Sequence, residues 1–448
     1  MAGARTRARQ RRRARSLSGS MREFLTPEVF KQVRNVAKRR KFPRWDLHPL
    51  LYILVLMTYC CGDSLPEKFE AARVFYVASC PKRKRPGAHF SGLEKAIARL
   101  PMPVLRALAA GIRRRVAAVF GDRWKVGGFI PLGCDGTRQA CPRTAELERR
   151  LGSNGNEGSA PMIWNTSIVH LTLGFVFCWW FGKGNKASER SHLLQMLRWL
   201  PAAALIVADA GYLGYEVAAR TVSAGLSFLI RMSSNATFYT ESDQPLEEFR
   251  EGIVYYWPQR QQAEGKPPLR GRLIRIHSER HKVDVWLFTN VEAPERLSLE
   301  TAGICYRWRW ENEGFFRTYK RTLKKVKLTG RTLRVVHREA EASMIATQLL
   351  LCQGALAMPA RQDHGLPVMC SPRGVLLEIR REMGGRTKPS NPFTQRISLA
   401  QRDHRPRTTP KQKREWPRRE AHKPPHPPVL LKLTAPQKTK IQKHLQAA

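Results

Sequence analysis

Three acids and three partner residues stand out as able to do chemistry together. Asp135 ends the apolar run FIPLGC and precedes Gly136, and Asp209 ends ALIVA and precedes Ala-Gly-Tyr. Both carboxylates are thereby expected at the carboxyl ends of buried strands, the edge where ligands collect in mixed α/β sheets. An Asp in such a place is also a common turn former and helix cap, so neither is specific alone. The third acid, Glu313, lies in the stretch YRWRWENEGFFRTYK from Tyr306 to Lys320. At about 100° per residue, Tyr306, Arg309, Glu313 and Lys320 fall within an arc of about 60° on one continuous helix. Glu311 falls on the opposite side, where Arg307 and Arg321 suit it for surface charge pairs. One helix face would thus offer a carboxylate for a metal, beside a guanidinium, an ammonium and a phenol suited to phosphate oxygens.

The charge of the chain narrows the substrate. Among 448 residues there are 79 Lys plus Arg against 36 Asp plus Glu, a net +43, with 42% hydrophobic residues. A chain this apolar builds a real core, and a surplus this large attracts polyanions, nucleic acid first and an anionic membrane surface second. Residues 1–20 hold seven Arg and no acid, and residues 371–448 hold nineteen Lys plus Arg against five acids. That leaves a net +22 between them, so the folded body is itself basic.

Other chemistries find less support. The nine Cys form no CxxC pair and no Cys/His spacing of the zinc type. They read as reduced, mostly buried thiols, which suits a cytoplasmic, DNA-associated protein. His170 and His192 sit in an apolar strand and a helix and read as packed or capping residues. The apolar run Leu50–Gly62 is too short to span a bilayer, so no membrane partner is expected.

These residues need a scaffold. Residues 1–20 read as a disordered basic arm, and residues 21–125 as a helical domain, because their apolar residues recur three and four apart between Arg and Lys; such a basic helical unit suits DNA binding, with plain helical support as the alternative. From Gly127 the texture changes to short β-branched runs. FIPLGC, WNTSIVHL, LGFVFCWWF, ALIVA and LSFLIRM read as strands, with helices at HLLQMLRWL and YEVAARTVSAG. The order β-β-β-α-β-α-β is that of a mixed α/β sheet. Alternating runs from about 233 to 300 suggest an antiparallel β insertion, after which a long helix starts near Cys305. Residues 126–370 would form this catalytic domain, and residues 371–448 a basic, Pro-rich, mostly disordered tail.

The spacing Tyr306-x-x-Arg309-x-x-x-Glu313-x6-Lys320, with Trp310 after the Arg and Phe316 after the Glu, resembles the Tyr-Arg-Glu-Lys signature of DDE transposases of the insertion-sequence family four type. Cys-Asp-Gly-Thr at 134–137 resembles that family's first-aspartate strand, Asp-Ala-Gly-Tyr at 209–212 its second, and Arg231 a basic residue often found there. The resemblance covers roughly residues 125–350 and implies a ribonuclease H-like catalytic fold. It further implies that Asp135, Asp209 and Glu313 hold two Mg²⁺ or Mn²⁺ ions, and that Tyr306, Arg309, Lys320 and Arg231 grip DNA. The partners would be double-stranded element ends and target DNA, with a homodimer joining two ends. Trp257 would stack on an unpaired base if excision passes through a hairpin. Alternatives are a DNA-binding derivative without cleavage activity, or another ribonuclease H-like nuclease.

Overall fold

The structure, a computed structural model, describes residues 16–37, 45–152, 158–184, 188–232, 234, 236–242, 245–278, 283–359, 369–385, 391–402 and 427–446. The chain divides into two compact units, each assembled from three segments. One comprises Met1–Trp124, Gly136–Ala187 and Glu311–Asp403; the other comprises Lys125–Asp135, Ser188–Trp310 and His404–Ala448.

The strands are β1 (Ile130–Ala140), β2 (Met162–His170), β3 (Val176–Lys183), β4 (Ala204–Ala208), β5 (Ser227–Arg231), β6 (Thr237–Thr240), β7 (Glu251–Tyr256), β8 (Leu269–Ser278), β9 (Val283–Thr289) and β10 (Val429–Lys432). In the second unit they run in the order β10-β6-β7-β8-β9-β5-β4-β1. β1, β4 and β5 are parallel, with Gly133 opposite Val207 and Ala208 opposite Ile230. The five residues of β4 are all buried, the continuous apolar run that a parallel strand covered on both faces requires. Helix Tyr215–Ser223 crosses from β4 to β5, and Gly225, at φ 68°, supplies the left-handed turn that releases the chain into β5. β5, β9, β8, β7 and β6 then pair antiparallel in turn, which is the expected insertion.

The inserted strands agree with the sequence reading, but helix Ala145–Leu151, capped by Thr144, lies between β1 and β2, so the order is β-α-β-β-α-β-α-β where β-β-β-α-β-α-β was expected. The expected tail differs. β10 adds parallel to β6, and helix Ala435–Gln446 follows it, burying Leu433 and Ile441 against Tyr239, Tyr255 and Trp257. Two apolar residues eight positions apart in a Lys-rich stretch were too sparse to register as periodicity, yet they suffice when an aromatic cluster receives them.

The first unit is built around helix Leu333–Ala357, whose residues from Ala340 to Ala355 are all buried. Helices Leu47–Met57 and Met102–Phe120 pack on it, and helix Pro27–Ala37 packs on Met102–Phe120. Tyr59 donates its hydroxyl to the Ala346 carbonyl, and Arg338 donates to the Leu100 carbonyl. The amino-terminal helices therefore share a core with residues 333–357 instead of forming a domain of their own. Leu17 and Met21, both fully buried in a helix capped by Ser16, also shorten the expected disordered arm, whose residues 1–15 lie outside the described part. Helices Pro372–Gly384 and Phe393–Ser398 join the same unit, so both of these segments are helical where the sequence suggested a tail. The hairpin of β2 and β3 completes it, with Ile163 opposite Lys183.

His170 is buried, with Nε2 3.0 Å from the Trp124 carbonyl oxygen and Nδ1 3.1 Å from Thr172 Oγ1, a packing role as expected. The nine Cys are all free thiols, and all but Cys61 and Cys80 are buried. Among the described residues no helix is long and apolar enough to cross a membrane.

Candidate functional site

The site is best built outward from β4. Its register with β1 places Gly133 opposite Val207, and two residues further on Asp135 comes level with Asp209. Asp209 keeps an extended backbone, φ −81° and ψ 170°, so the strand geometry continues to it. On the other side Ala208 faces Ile230, which sets Asp209 level with Arg231. β4 and β5 thus give out at Asp209 and Arg231, whereas Asp135 is not at the end of β1 as expected but in its middle, the strand running on to Ala140. The register extrapolated from the paired residues sets the three side by side at strand spacings of about 4.8 Å. A lone sequence cannot reveal this alignment, because register between strands 70 residues apart depends on the folded sheet.

Asp209 is held from several directions. Its Oδ1 accepts the Ala210 amide at 2.8 Å, capping the short turn Ala210–Tyr212. Arg231 Nη1 lies 3.7 Å from Oδ1, and Arg309 Nη1 lies 3.8 Å from Oδ2. Arg309 comes from the end of helix Leu299–Trp308, which packs on β4 and β8. Its guanidinium carbon sits 5.6 Å from the Tyr306 ring centre and 5.2 Å from that of Trp310. Arg309 is only 8% exposed, whereas Trp310 is 59% exposed. The Tyr306 hydroxyl and Arg309 Nε are both buried without a well-formed hydrogen bond among the described residues. Burial raises the Tyr306 phenol above its ordinary range, against the pull of Arg309. It therefore stays protonated and able to donate at neutral pH.

The signature residues do not lie on one unbroken helix. The α-helix stops at Trp308, and the amides of Arg309 and Trp310 bond three residues back, to Tyr306 and Arg307. A second helix, Glu311–Arg317, begins after the break and runs into a π-helical turn, Thr318–Thr322. The wider turn is pinned by Tyr319, fully buried, whose hydroxyl lies 2.9 Å from Ser343 Oγ and 3.0 Å from Gln139 Nε2. The ideal-helix arc that grouped Tyr306, Arg309, Glu313 and Lys320 is therefore replaced by two sets. Tyr306 and Arg309 join Asp209 and Arg231 in the second unit, and Glu313 and Lys320 belong to the first.

Glu313 is exposed in the first turn of its helix, and Lys320 is half-buried in the π turn, where burial lowers its ammonium below the ordinary lysine value. Glu311, expected to pair along the helix surface, instead receives both Nη1 and Nη2 of Arg402, at 2.8 and 2.9 Å. Arg402 is 91 residues away, beyond the reach of any periodicity argument.

Trp257 is not a stacking platform. It is 2% exposed, donates its indole N–H to the Lys266 carbonyl at 2.8 Å, and lies in the cluster that receives Leu433 and Ile441. A tryptophan in an alternating strand run is most readily placed in a core, and here the buried indole finds its acceptor in the adjoining loop.

Asp135 and Asp209 supply the hard oxygens that Mg²⁺ or Mn²⁺ prefers, so these donors fit such an ion. Among the described residues, no three His, Cys, Asp or Glu side chains already form a closed metal-holding group. A cavity of about 390 Å³ opens at the opposite, amino ends of β1, β4 and β5, lined by Phe129, Ala203, Leu226 and Asn290, and has no acid of the set in it.

Residues 135–349 match the family model described as the transposase DDE domain. The match starts on Asp135 and takes in Asp209, the β insertion and Glu313. No curated protein matches the chain. Among solved structures, the chain is similar to the cryo-EM structure of piggyBac transposase synaptic complex with hairpin DNA, at a TM-score of 0.40 and 10% identity, over 90% of this chain and 88% of that chain. At that score the likeness does not define a shared fold. The matched segment, residues 135–349, is similar to the transposase DDE domain and makes up a little under half of the chain.

Proposed function

We propose that the protein is a DNA transposase of the insertion-sequence family four type, with a ribonuclease H-like catalytic core, that cleaves the ends of its element and joins the freed 3′ hydroxyl to target DNA. The observation that supports this is the side-by-side placement of Asp135, within β1, and of Asp209 and Arg231, where β4 and β5 give out, inside the segment matched by the transposase DDE domain. The partner is double-stranded DNA, first the element ends and then the target, and a dimer brings two ends together.

Asp135, Asp209 and Glu313 would hold two divalent ions, Mg²⁺ or Mn²⁺, which activate water and stabilise the leaving oxygen when bound. The protein's own groups do the positioning. Arg309 and Arg231 stand on Asp209, and Lys320 adds a third cation; these hold the phosphate oxygens and offset the negative charge that builds at phosphorus. Tyr306 donates its buried hydroxyl to the same backbone. Water attacks phosphorus, the bond from phosphorus to the 3′ oxygen breaks, and the strand is left with a 3′ hydroxyl opposite a 5′ phosphate. That hydroxyl repeats the attack on target DNA, displacing another 3′ oxygen. No side-chain nucleophile is needed, which is why acids and cations, and no reactive Ser or Cys, mark the site.

The test is cutting and joining by purified full-length protein on the terminal repeats flanking its own gene, with Mg²⁺, beside Asp135→Asn, Asp209→Asn and Glu313→Gln. Metal-dependent 3′ nicking and joining, lost in all three variants while DNA binding persists, is the expected result. Nicking without joining would favour another nuclease of the same fold, and binding without either would favour a non-cleaving derivative.

A further inference from the structure

The carboxy-terminal segment has a feature that the cutting chemistry does not use. β10 is stitched to β6 from Val429 N–H to the Ala236 carbonyl through Leu433 N–H to the Thr240 carbonyl, both at 2.9 Å. The helix Ala435–Gln446 then turns back, with Gln437 accepting the Thr434 amide at 3.0 Å. Leu433 and Ile441 are buried, and His444 meets Trp257 edge-on at 6.4 Å between ring centres. Ordering a terminal segment costs about 1–2 kcal/mol per residue in backbone entropy, so a fixed geometry here is a built feature.

That geometry displays charge. Lys438, Lys440 and Lys443 are exposed, and none pairs with a described acid. No Asp or Glu occurs anywhere in residues 427–448. The nearby acids are occupied: Glu264 by Arg260 and Lys266, and Glu241 by the Tyr255 hydroxyl. On the helical wheel Lys438 and Lys440 flank the face of Gln437 and Ile441, about 80° to either side, and Lys443 lies about 140° from it, about 60° beyond Lys440.

We propose that this helix, clipped to the insertion by Leu433 and Ile441, is a duplex-DNA backbone grip in which Lys438, Lys440 and Lys443 neutralise phosphates distant from the cut. The inference rests on the reading of duplex DNA as substrate. Strand order sets the reach. β10 lies six strand spacings from β4, at most about 29 Å for spacings of about 4.8 Å. At 3.4 Å per base pair that is about eight to nine base pairs from a phosphate held at Asp209. Flanking duplex within one turn of the cut therefore reaches the lysines.

The experiment compares the full-length protein with the triple variant Lys438→Gln, Lys440→Gln, Lys443→Gln, and with the charge-keeping triple of Lys→Arg changes. Binding to a 30-base-pair duplex is followed by fluorescence anisotropy from 50 to 200 mM KCl. Three lost phosphate contacts make the plot of log affinity against log salt shallower by about 2 to 3, and the Lys→Arg triple keeps the original slope. Thermal unfolding of the Gln triple close to that of the parent shows that the clip stays folded. Parent and Gln triple with equal slopes would overturn the grip and leave the proposed function standing. No DNA binding by the parent would overturn both. A Gln triple that binds DNA normally but no longer binds anionic phosphatidylserine vesicles would also overturn it, assigning the lysines to a lipid surface.

Discussion

Arg309 reaches Asp209 with its guanidinium 3.8 Å from Oδ2, and does so from a position only 8% exposed to solvent. The pairing is uneven, since the Asp209 side chain is 44% exposed and Arg309 Nε finds no well-formed hydrogen bond among the described residues. A guanidinium stripped of water and bonded at only part of its fork is poorly repaid in stability. The arrangement makes chemical sense if the remaining donors await an anionic substrate, which is where rules of folding give way to function.

Arg309→Met is therefore expected to leave stability nearly unchanged, because the desolvation penalty disappears along with the ion pair. Cleavage should fall by about 10²-fold or more, the usual cost of losing one positioned donor to developing charge. Thermal unfolding and single-turnover nicking check the two halves. A large loss of stability with normal nicking by the remaining folded fraction would make Arg309 a structural residue.

Trp257→Ala should act in the opposite way. The indole fills the cluster around Leu433 and Ile441 and satisfies the Lys266 carbonyl, so its removal is expected to cost about 3–5 kcal/mol. Trp257→Phe, which loses the N–H but keeps most of the volume, should cost clearly less. Urea unfolding measures both. Base stacking in a cleavage intermediate would instead appear as a nicking or hairpin defect in a protein of normal stability.

A pH effect is expected from the first unit. Glu341 is buried beside Trp179, whose indole N–H bonds Oε2 at 2.7 Å, and Arg106, 3.6 Å from Oε1. Burial lifts its carboxyl from 4.5 to about 7, with Trp179 and Arg106 pulling the other way. The folded protein thus holds a proton there that the unfolded chain releases above pH 4.5. Its contribution to stability is full below pH 4.5 and is lost as pH rises through about 7. Glu341→Gln should raise the melting temperature at pH 8 more than at pH 5, and equal shifts at the two pH values would exclude this titration.

What the sequence could and could not disclose follows from the range of the forces involved. Strands such as ALIVA and LSFLIRM were legible because local apolar runs bounded by Gly and Asp report burial directly. Asp209 was legible as a strand-end acid; Asp135 was expected at a strand end, but β1 runs on to Ala140, and its being level with Asp209 required the β1–β4 register. The break after Trp308 was hidden because each residue from Tyr306 to Lys320 tolerates a helix. The turn there is set by distant partners: Asp209 receives Arg309, and Gln139 and Ser343 seat Tyr319. The clip at residues 429–446 failed to register for the same reason, its two buried residues having meaning only against Trp257.

The bond from Arg402 to Glu311 carries the last expectation. Both oxygens of Glu311 are engaged, at the start of the helix that bears Glu313 two residues later. Bidentate pairing fixes orientation as well as distance, so Arg402 acts as a positioning residue for that turn. Arg402→Lys keeps the charge but cannot make the parallel pair, and it is expected to demand a higher Mg²⁺ concentration for half-maximal nicking while saturating rates recover most of the parent value. Arg402→Gln should shift the requirement further in the same direction. A titration of nicking against Mg²⁺ separates this from a simple folding defect, which would lower the plateau and leave the midpoint unmoved. Unchanged midpoints in both variants would mean that the Glu311 pairing holds the helix without tuning the acid it carries.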